Sequence, residues 1–193
     1  MAKRIAVLGG PRCGKTTLIQ HLYVEMKIIG IDVDYALEYS TEYLKEKGMI
    51  ESISEQYGIY LGQKKLEDNL EDNEYALTDY ATFLPYIYGR FMLGKKKRTK
   101  KEIQILKDLY SLAIEDINRY DYILYLPREF GYEKDGVRWQ DEETAKLIDE
   151  SILNFLESEN VDFKIISGST KERAKEIFKL LNLEYKETKE LEA

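Results

Sequence analysis

The most informative segment of the sequence lies near the start of the chain and reads Gly9-Gly10-Pro11-Arg12-Cys13-Gly14-Lys15-Thr16-Thr17. Its first eight residues match the pattern G-x-x-x-x-G-K-[ST], in which glycines let the backbone turn its N–H groups inward around phosphate oxygens. An apolar run at residues 5–8 predicts a buried strand before the loop, and residues 17–26 predict a helix after it. A phosphate loop in this setting indicates a protein that binds a nucleoside triphosphate.

Two side chains of this loop carry chemistry of their own. Lys15 supplies a positive charge for the β- and γ-phosphates, and the Thr16 hydroxyl is suited to ligate Mg²⁺. The helix that follows directs the positive end of its dipole toward the same anions. We therefore expect ATP and Mg²⁺ as cofactors, bound by residues 9–17.

The composition is that of one α/β domain. The chain has 193 residues, is 44% hydrophobic and carries a formal net charge of −7. We expect a single domain over residues 1–193, and the negative charge argues against a protein that wraps duplex nucleic acid over its surface. Cys13 is the only cysteine, and no apolar stretch reaches the length of a membrane span or resembles a signal peptide. These features predict a cytoplasmic protein with no membrane partner.

Strand and helix patterns alternate along the rest of the chain. Further strands are predicted at residues 31–37, 75–79, 122–126 and 163–168. Helices are predicted between them, one of them capped by Ser40 and ending near Gly48. This alternation predicts an α/β, three-layer P-loop NTPase fold: a five-stranded parallel sheet with helices on both faces, and a lid loop at about 127–140. The tail at about 184–193 is expected to be loosely held.

Two acidic residues stand where predicted strands end, at the edge of the sheet that binds ligands in such folds. Glu38 is the candidate for orienting or deprotonating an acceptor hydroxyl, with an ordinary solvated acid as the alternative. Asp79 is expected to hold Mg²⁺ together with Thr16, and a helix N-cap is its alternative and compatible role.

The segment from Arg128 to Gln140 has the makeup of a closing lid. It contains two glycines, two arginines and the only tryptophan. Arg128 or Arg138 is expected to reach the transferred phosphoryl group, because a guanidinium matches phosphate oxygens with two parallel hydrogen bonds. The alternative is a surface loop in which Arg138 pairs with Asp135 or Asp141.

An aromatic segment and a basic run offer surfaces for a substrate. The aromatic side chains are candidates for stacking an acceptor base, with core packing as the alternative: Tyr80, Phe83, Tyr86, Tyr88 and Phe91. Arg90 is a further candidate for holding the acceptor. Residues 95–101 carry six cationic side chains in seven positions, which indicates either capture of a polyanion or a solvated helix entrance.

With these residues in view, the chain resembles the nicotinamide riboside kinase domain of bifunctional bacterial NAD-biosynthesis proteins and related P-loop ATPase and kinase domains. The resemblance covers residues 3–181: the phosphate loop, residues 38–44, Thr78-Asp79 with the aromatics after it, Tyr120-Asp121-Tyr122, the lid, and residues 165–168 followed by Arg173. It implies a nucleoside-kinase core that uses ATP and Mg²⁺. It also implies an acceptor between the Glu38 and Asp79 loops in contact with Tyr39, and an adenine-side loop that includes Ser169. The lid and aromatic segment resemble thymidylate kinases more loosely.

The sequence thus predicts an ATP-dependent kinase whose acceptor is a small nucleoside or nucleotide, either nicotinamide riboside-like or a deoxynucleoside or deoxynucleotide. The residues expected to carry catalysis are Lys15, Glu38, Asp79, Arg128 and Arg138. Two other functions stay open: a nucleic-acid kinase that uses residues 95–101, and a regulatory P-loop ATPase without an acceptor. A homodimer also stays open.

Overall fold

The computed structural model describes residues 1–94, 98–129 and 142–186, which alternate between strands and helices. The elements in chain order are β1 (Lys3–Leu8), α1 (Lys15–Ile28), β2 (Val33–Ala36), α2 (Tyr39–Lys47), α3 (Ile53–Asp68), β3 (Tyr75–Thr78), α4 (Leu84–Leu93), α5 (Lys100–Ile117), β4 (Tyr122–Tyr125), α6 (Glu142–Ser158), β5 (Lys164–Ile165) and α7 (Thr170–Leu180). Each predicted strand is present, and the later ones are shorter than predicted.

The five strands form one parallel sheet in the order β2-β3-β1-β4-β5. Ile5 of β1 lies opposite Leu77 of β3 and Tyr122 of β4, so the first strand is central. Because the strands run in the same direction, the loops after β1, β2 and β3 all emerge at one edge of the sheet. The predicted α/β fold with a five-stranded parallel sheet is confirmed, and this edge is where the sequence places the site.

Helices cover both faces of the sheet, and β1 supplies side chains to both. Ile5 and Val7 pack in a core with α1 and α7, whereas Ala6 and Leu8 pack in a second core with α3, α4 and α6. This is the period-two alternation of a strand that is buried on both sides. The two cores hold the phosphate loop between them, because that loop directly continues β1.

The start of α2 differs from the prediction. Ser40 is not the cap of this helix: α2 begins at Tyr39, Glu38 is the N-cap residue, and Ser40 is buried in the first turn. The Ser40 hydroxyl donates instead to the Glu38 carboxylate. Capping boxes do start other helices, with Thr99 and Glu102 at α5 as one example.

The structure describes only part of the C-terminal tail, of the basic run and of the predicted lid. Tyr185 packs edge-to-face on Phe178 with ring centroids 5.1 Å apart, so this part of the predicted loose tail is held against α7. Residues 187–193, the first three lysines of the basic run at 95–97, and residues 130–141 of the lid lie outside the described residues. Within the described ranges, every helix is too short or too polar to cross a bilayer.

Candidate active site

The phosphate loop connects β1 to α1 through a backbone that needs glycine at two positions. Gly9 has φ of 144°, and a Cβ there would lie 2.6 Å from both the Cys13 Sγ and the Leu126 carbonyl oxygen. Gly14 has φ of 86° and stands directly before the first residue of α1. Both conformations lie in the region that favours glycine. The free N–H groups of the first turn of α1 therefore face the concave side of the loop.

The Lys15 and Cys13 side chains both contact the backbone of this loop, and the Lys15 ammonium lies 3.9 Å from the Cys13 sulfur. The Lys15 ammonium donates to the carbonyl oxygens of Gly9 at 3.0 Å and Gly10 at 2.9 Å, and its side chain lines a cavity. Cys13 is fully buried and contacts the Gly10 carbonyl from the core side at 3.1 Å. In this arrangement the Cys13 side chain supports the loop, and the predicted part of Cys13 in nucleotide binding stays a prediction.

Hydrogen bonds join the loops that follow β1, β2 and β3. The Thr16 hydroxyl donates to Asp79 Oδ2, and the Glu38 N–H donates to Asp79 Oδ1 at 2.9 Å. Asp79 is 2% exposed, and burial raises the pKa of its carboxyl group. Asp79 is not a helix N-cap, because α4 begins later and is preceded by Phe83. A hydroxyl and a carboxylate in contact beside a phosphate loop are oxygen ligands that suit Mg²⁺.

A cavity of about 860 Å³, counting its open mouth, begins at the phosphate loop and runs between α2, α3 and α4. Polar groups line the end near the loop: Lys15, Glu38, Ser40 and Thr41. Its other walls are largely apolar: Ile59, Tyr80, Leu84, Tyr88, Phe91 and Met92. A concave, mostly apolar site with a few polar groups at one end is typical of a small-molecule site.

Three of the five aromatic residues predicted to stack a base line this cavity: Tyr80, Tyr88 and Phe91. Phe83 does not agree with the prediction. It is fully buried, with its ring 5.9 Å from that of Tyr120 and 5.7 Å from that of Phe155. For Phe83 the alternative of core packing is the one the structure shows.

Two other residues predicted to hold the acceptor lie on the opposite face of α4. Tyr86 and Arg90 line a separate cavity against α6, together with Arg98. Residues 84, 88, 91 and 92 repeat at helical spacing on the side of the first cavity, and residues 86, 87 and 90 repeat on the other side. The sequence pattern predicts this helix correctly but does not show which of its two faces meets the phosphate loop.

Tyr39 is a further departure from the sequence prediction. Its ring packs on α3, where a Cβ on Gly62 would come within 2.2 Å of a ring carbon. Its backbone N–H donates to Gln63 Oε1 at 2.9 Å. Tyr39 therefore anchors the Glu38 loop to α3, and among the described residues that line the cavity Glu38 is present and Tyr39 is not.

The first lid arginine lies against the phosphate loop. A Cβ on Gly10 would come 2.9 Å from the Arg128 Nη2, and the three guanidinium nitrogens of Arg128 are buried with no hydrogen-bond partner in the described parts of the chain. On the same side, Asp149 of α6 accepts the Gly10 N–H at 2.5 Å. Arg138, Asp135 and Asp141 lie outside the described residues, so both interpretations of Arg138 stay predictions.

A buried arginine, named above only as part of the family resemblance, connects the phosphate loop, residues 127–129 at the start of the lid, and the segment before α7. Arg173 is 1% exposed; it donates to the Cys13 carbonyl at 2.7 Å and the Pro127 carbonyl at 3.3 Å, and it pairs with Glu129 at 2.7 Å. The hydrogen bond from Arg173 lowers the pKa of Glu129, which also accepts the Gly168 N–H. Ser169, which follows Gly168, forms the capping box of α7 with Glu172. The contact between Ser169 and ATP stays a prediction.

Replacing Arg173 with alanine is expected to weaken both the fold and nucleotide binding. The change leaves the Cys13 carbonyl without its buried donor, which costs about 1–3 kcal/mol. Urea unfolding should show this loss, and calorimetric titration with AMP-PNP should show weaker binding. Lys179→Ala, on the exposed side of the same helix, is the matched control. Normal nucleotide affinity in Arg173→Ala would refute the link to the loop.

A buried polar network extends from the Tyr39 anchor into the core. Gln63 donates to Glu67 and to the Thr78 hydroxyl, both at 3.1 Å, and the Tyr120 hydroxyl donates to Glu67 at 3.0 Å. Glu67 is 3% exposed, and burial raises its pKa from 4.5 to about 7. The folded protein therefore keeps a proton on Glu67 in a pH range where the unfolded chain has lost it.

This pKa predicts a pH dependence of stability. Between about pH 4.5 and pH 7 the folded state binds more protons than the unfolded state, so the free energy of unfolding falls as the pH rises, by on the order of 3 kcal/mol in all. Glu67→Gln removes the titration and should flatten this part of the curve. Urea unfolding at pH 5 and pH 8 measures the effect, with Glu46→Gln on the exposed side of α2 as the control. An unchanged pH slope in Glu67→Gln would contradict the assignment.

Comparisons with known proteins agree with this architecture. A crystal structure of NadR protein in complex with NR superposes with a TM-score of 0.75 at 16% identity over 97% of this chain and 53% of the other. A crystal structure of NadR protein in complex with NAD and AMP-PNP gives a TM-score of 0.72 at 18% identity over 97% and 52%. The chain thus spans about half the length of these proteins, and at such identities the likeness shows the fold. Among curated protein sequences no match was found.

The model of a family described as AAA domain matches residues 4–173, which include nearly the whole described sheet and its helices. The chain belongs to this family of P-loop domains.

Proposed function

We propose that the protein transfers the γ-phosphoryl group of ATP to a hydroxyl of a small nucleoside or nucleotide. One observation carries the proposal: hydrogen bonds join Thr16 and Asp79, two oxygen donors suited to Mg²⁺, to the backbone of Glu38, and Glu38 lines the same cavity as Lys15. Phosphoryl transfer needs these parts together: a cation, a metal and a group that orients the nucleophile.

The phosphate end of the site is proposed to bind ATP. The N–H groups at the start of α1 and the Lys15 ammonium would bind the phosphates, which would take the place of the Gly9 and Gly10 carbonyls as partners of Lys15. Thr16 and Asp79 would hold Mg²⁺, which neutralises charge on the phosphates when bound. Arg128 has buried donors beside Gly10 that find no partner among the described residues, and it would stabilise the charge of the transferred group. Arg138 is proposed for the same role from the sequence alone.

Glu38 is proposed as the base at the acceptor end. The acceptor oxygen bonds to the γ-phosphorus as its proton passes to the Glu38 carboxylate, and the bond from the γ-phosphorus to ADP breaks. Lys15 is the one cation among the described residues that line the cavity. A second phosphate group there would have few partners, so the lining favours an uncharged hydroxyl as acceptor.

The likeness to NadR supports a nucleoside-like acceptor. One of those structures contains NR and the other contains NAD with AMP-PNP, and both match 97% of this chain. Nicotinamide riboside-like compounds and deoxynucleosides are therefore the first acceptors to test. A cytoplasmic location and a homodimer stay predictions.

Radiolabelled ATP offered with nucleosides, mononucleotides, oligonucleotides or no acceptor tests the proposal. We expect label transfer to one or more nucleosides and slow ATP hydrolysis without an acceptor. Transfer to oligonucleotides with a steep salt dependence would replace the proposal with a nucleic-acid kinase. ATP hydrolysis that no acceptor accelerates would replace it with a regulatory ATPase.

A further inference from the structure

Gln56 of α3 is a buried polar side chain in the apolar part of the cavity wall. It is 2% exposed, and its Nε2 donates to the Met92 sulfur at 3.3 Å. Its Oε1 is buried and has no hydrogen-bond partner in the described parts of the chain. A buried acceptor that stays unpaired costs about 1–3 kcal/mol, so Oε1 is a place where a ligand donor gains a strong interaction.

The helix sets how far Gln56 lies from the reacting end. Gln63 holds the backbone of Tyr39, the residue next to Glu38. Gln56 is seven residues earlier on α3, which is two turns, so it lies on the same face about 10 Å away. Glu38 and Gln56 line the same cavity, so a ligand with its hydroxyl at Glu38 would reach Gln56 with a second group if it is about as long as a nucleoside from its sugar to the far edge of its ring.

The surrounding side chains suit a flat ring. Tyr88 and Phe91 line the same cavity and offer aromatic faces, and Met92 adds a polarizable thioether. Among the described lining residues, the charged side chains are Lys15 and Glu38, which belong to the proposed phosphoryl-transfer end. The ring end of the cavity thus combines apolar walls with one unpaired carbonyl oxygen.

We infer that the acceptor is a nucleoside whose ring edge presents an N–H donor to Gln56 Oε1. This deepens the proposed function and rests on it, because it takes the acceptor hydroxyl to lie at Glu38. The N–H belongs to a carboxamide, an exocyclic amino group or a ring imide. Rings whose corresponding edge carries a carboxylate or an N-methyl group are excluded, because they leave Oε1 facing an acceptor or a methyl group.

Two matched pairs of compounds test the inference: nicotinamide riboside against nicotinate riboside, and thymidine against N3-methylthymidine. For the compound that the wild-type protein uses, loss of the N–H should lower kcat/KM by about tenfold or more. Gln56→Met keeps the length of the side chain and removes its polar atoms. It should lower kcat/KM for the parent compound and abolish the difference within the pair. Gln104→Met, on the exposed side of α5, is the matched control and should behave as wild type.

Binding of the same pairs in the presence of AMP-PNP, measured by calorimetry, separates the two proposals. Preference for the N–H compound without phosphoryl transfer supports the role of Gln56 and refutes the kinase. Phosphoryl transfer without preference, or with a preference that Gln56→Met retains, refutes the role of Gln56 and leaves the kinase standing. Neither binding nor transfer of any compound refutes both. If Gln56→Met does not fold, the absence of preference in the wild-type protein still overturns the inference.

Discussion

Lys15→Ala is expected to lower kcat/KM for phosphoryl transfer by roughly a hundredfold or more, corresponding to about 3 kcal/mol of transition-state stabilisation. The Lys15 ammonium lies across the phosphate loop and lines the cavity, where few other charges screen it. Alanine removes the charge and leaves the backbone of the loop in place. The measurement is steady-state kinetics with the acceptor found in the label-transfer screen.

Lys27→Ala is a suitable control because Lys27 lies at the other end of the same helix and pairs with Asp32 at 3.4 Å on the surface. It should keep normal kinetics. Turnover near the wild-type level in Lys15→Ala would show that the loop does not hold the reacting phosphates, and it would overturn the proposed reaction as a whole.

Glu38→Gln is expected to lower kcat by about 10²- to 10⁴-fold while ATP binding stays close to normal. The amide keeps the shape of the side chain and a carbonyl partner for the Ser40 hydroxyl, but it no longer accepts a proton from the acceptor. The hydrogen bond to the Asp79 carboxylate is donated by the backbone N–H of Glu38, so it survives the change of side chain. Rate measurements at saturating ATP and acceptor, with calorimetry of AMP-PNP binding, separate the two effects.

Glu42→Gln provides the matched control, since Glu42 is one turn further along α2 and is exposed. Equal losses in both variants would point to a general effect of charge near the loop, and a normal rate in Glu38→Gln would remove Glu38 from the reaction.

Features that depend on local pattern were predictable. The phosphate loop fixes a strand before it and a helix after it, because its glycines and its lysine serve one geometry. The alternation in β1 and the apolar run at β4 likewise follow from burial on both sides of a parallel sheet. The positions of Glu38 and Asp79 followed as well, because parallel strands end at one edge.

The faces of α4 were not predictable in the same way. Aromatic residues occur on both sides of this helix, since one side packs in the core and the other lines the cavity. The helical repeat of the sequence shows which residues of α4 share a face, but it does not show which face packs against the core and which one lines the cavity. Phe83 and Tyr86 were therefore grouped with Tyr80 and Tyr88 although the fold separates them.

Long-range partners were hidden for a different reason. Arg173 contacts the backbone of Cys13 across 160 residues, and Asp149 contacts that of Gly10 across 139. A hydrogen bond to a backbone atom does not require a particular residue type at that position, so the sequence does not reveal it. Gln56 gave no signal either, because it stands in a helix rich in polar residues and only the tertiary structure shows that it is buried.

Different kinds of secondary-structure element supply the two ends of the proposed site, the phosphate end and the acceptor end. Groups proposed to handle phosphate stand at strand ends and at the start of α1, while the walls around the rest of the acceptor come from α3 and α4. Substitutions at Gln56, Tyr88 or Met92 therefore leave the Thr16–Asp79 pair untouched. For protein engineering, the proposed function implies that libraries at these wall positions would vary acceptor preference while the residues proposed for catalysis are held constant.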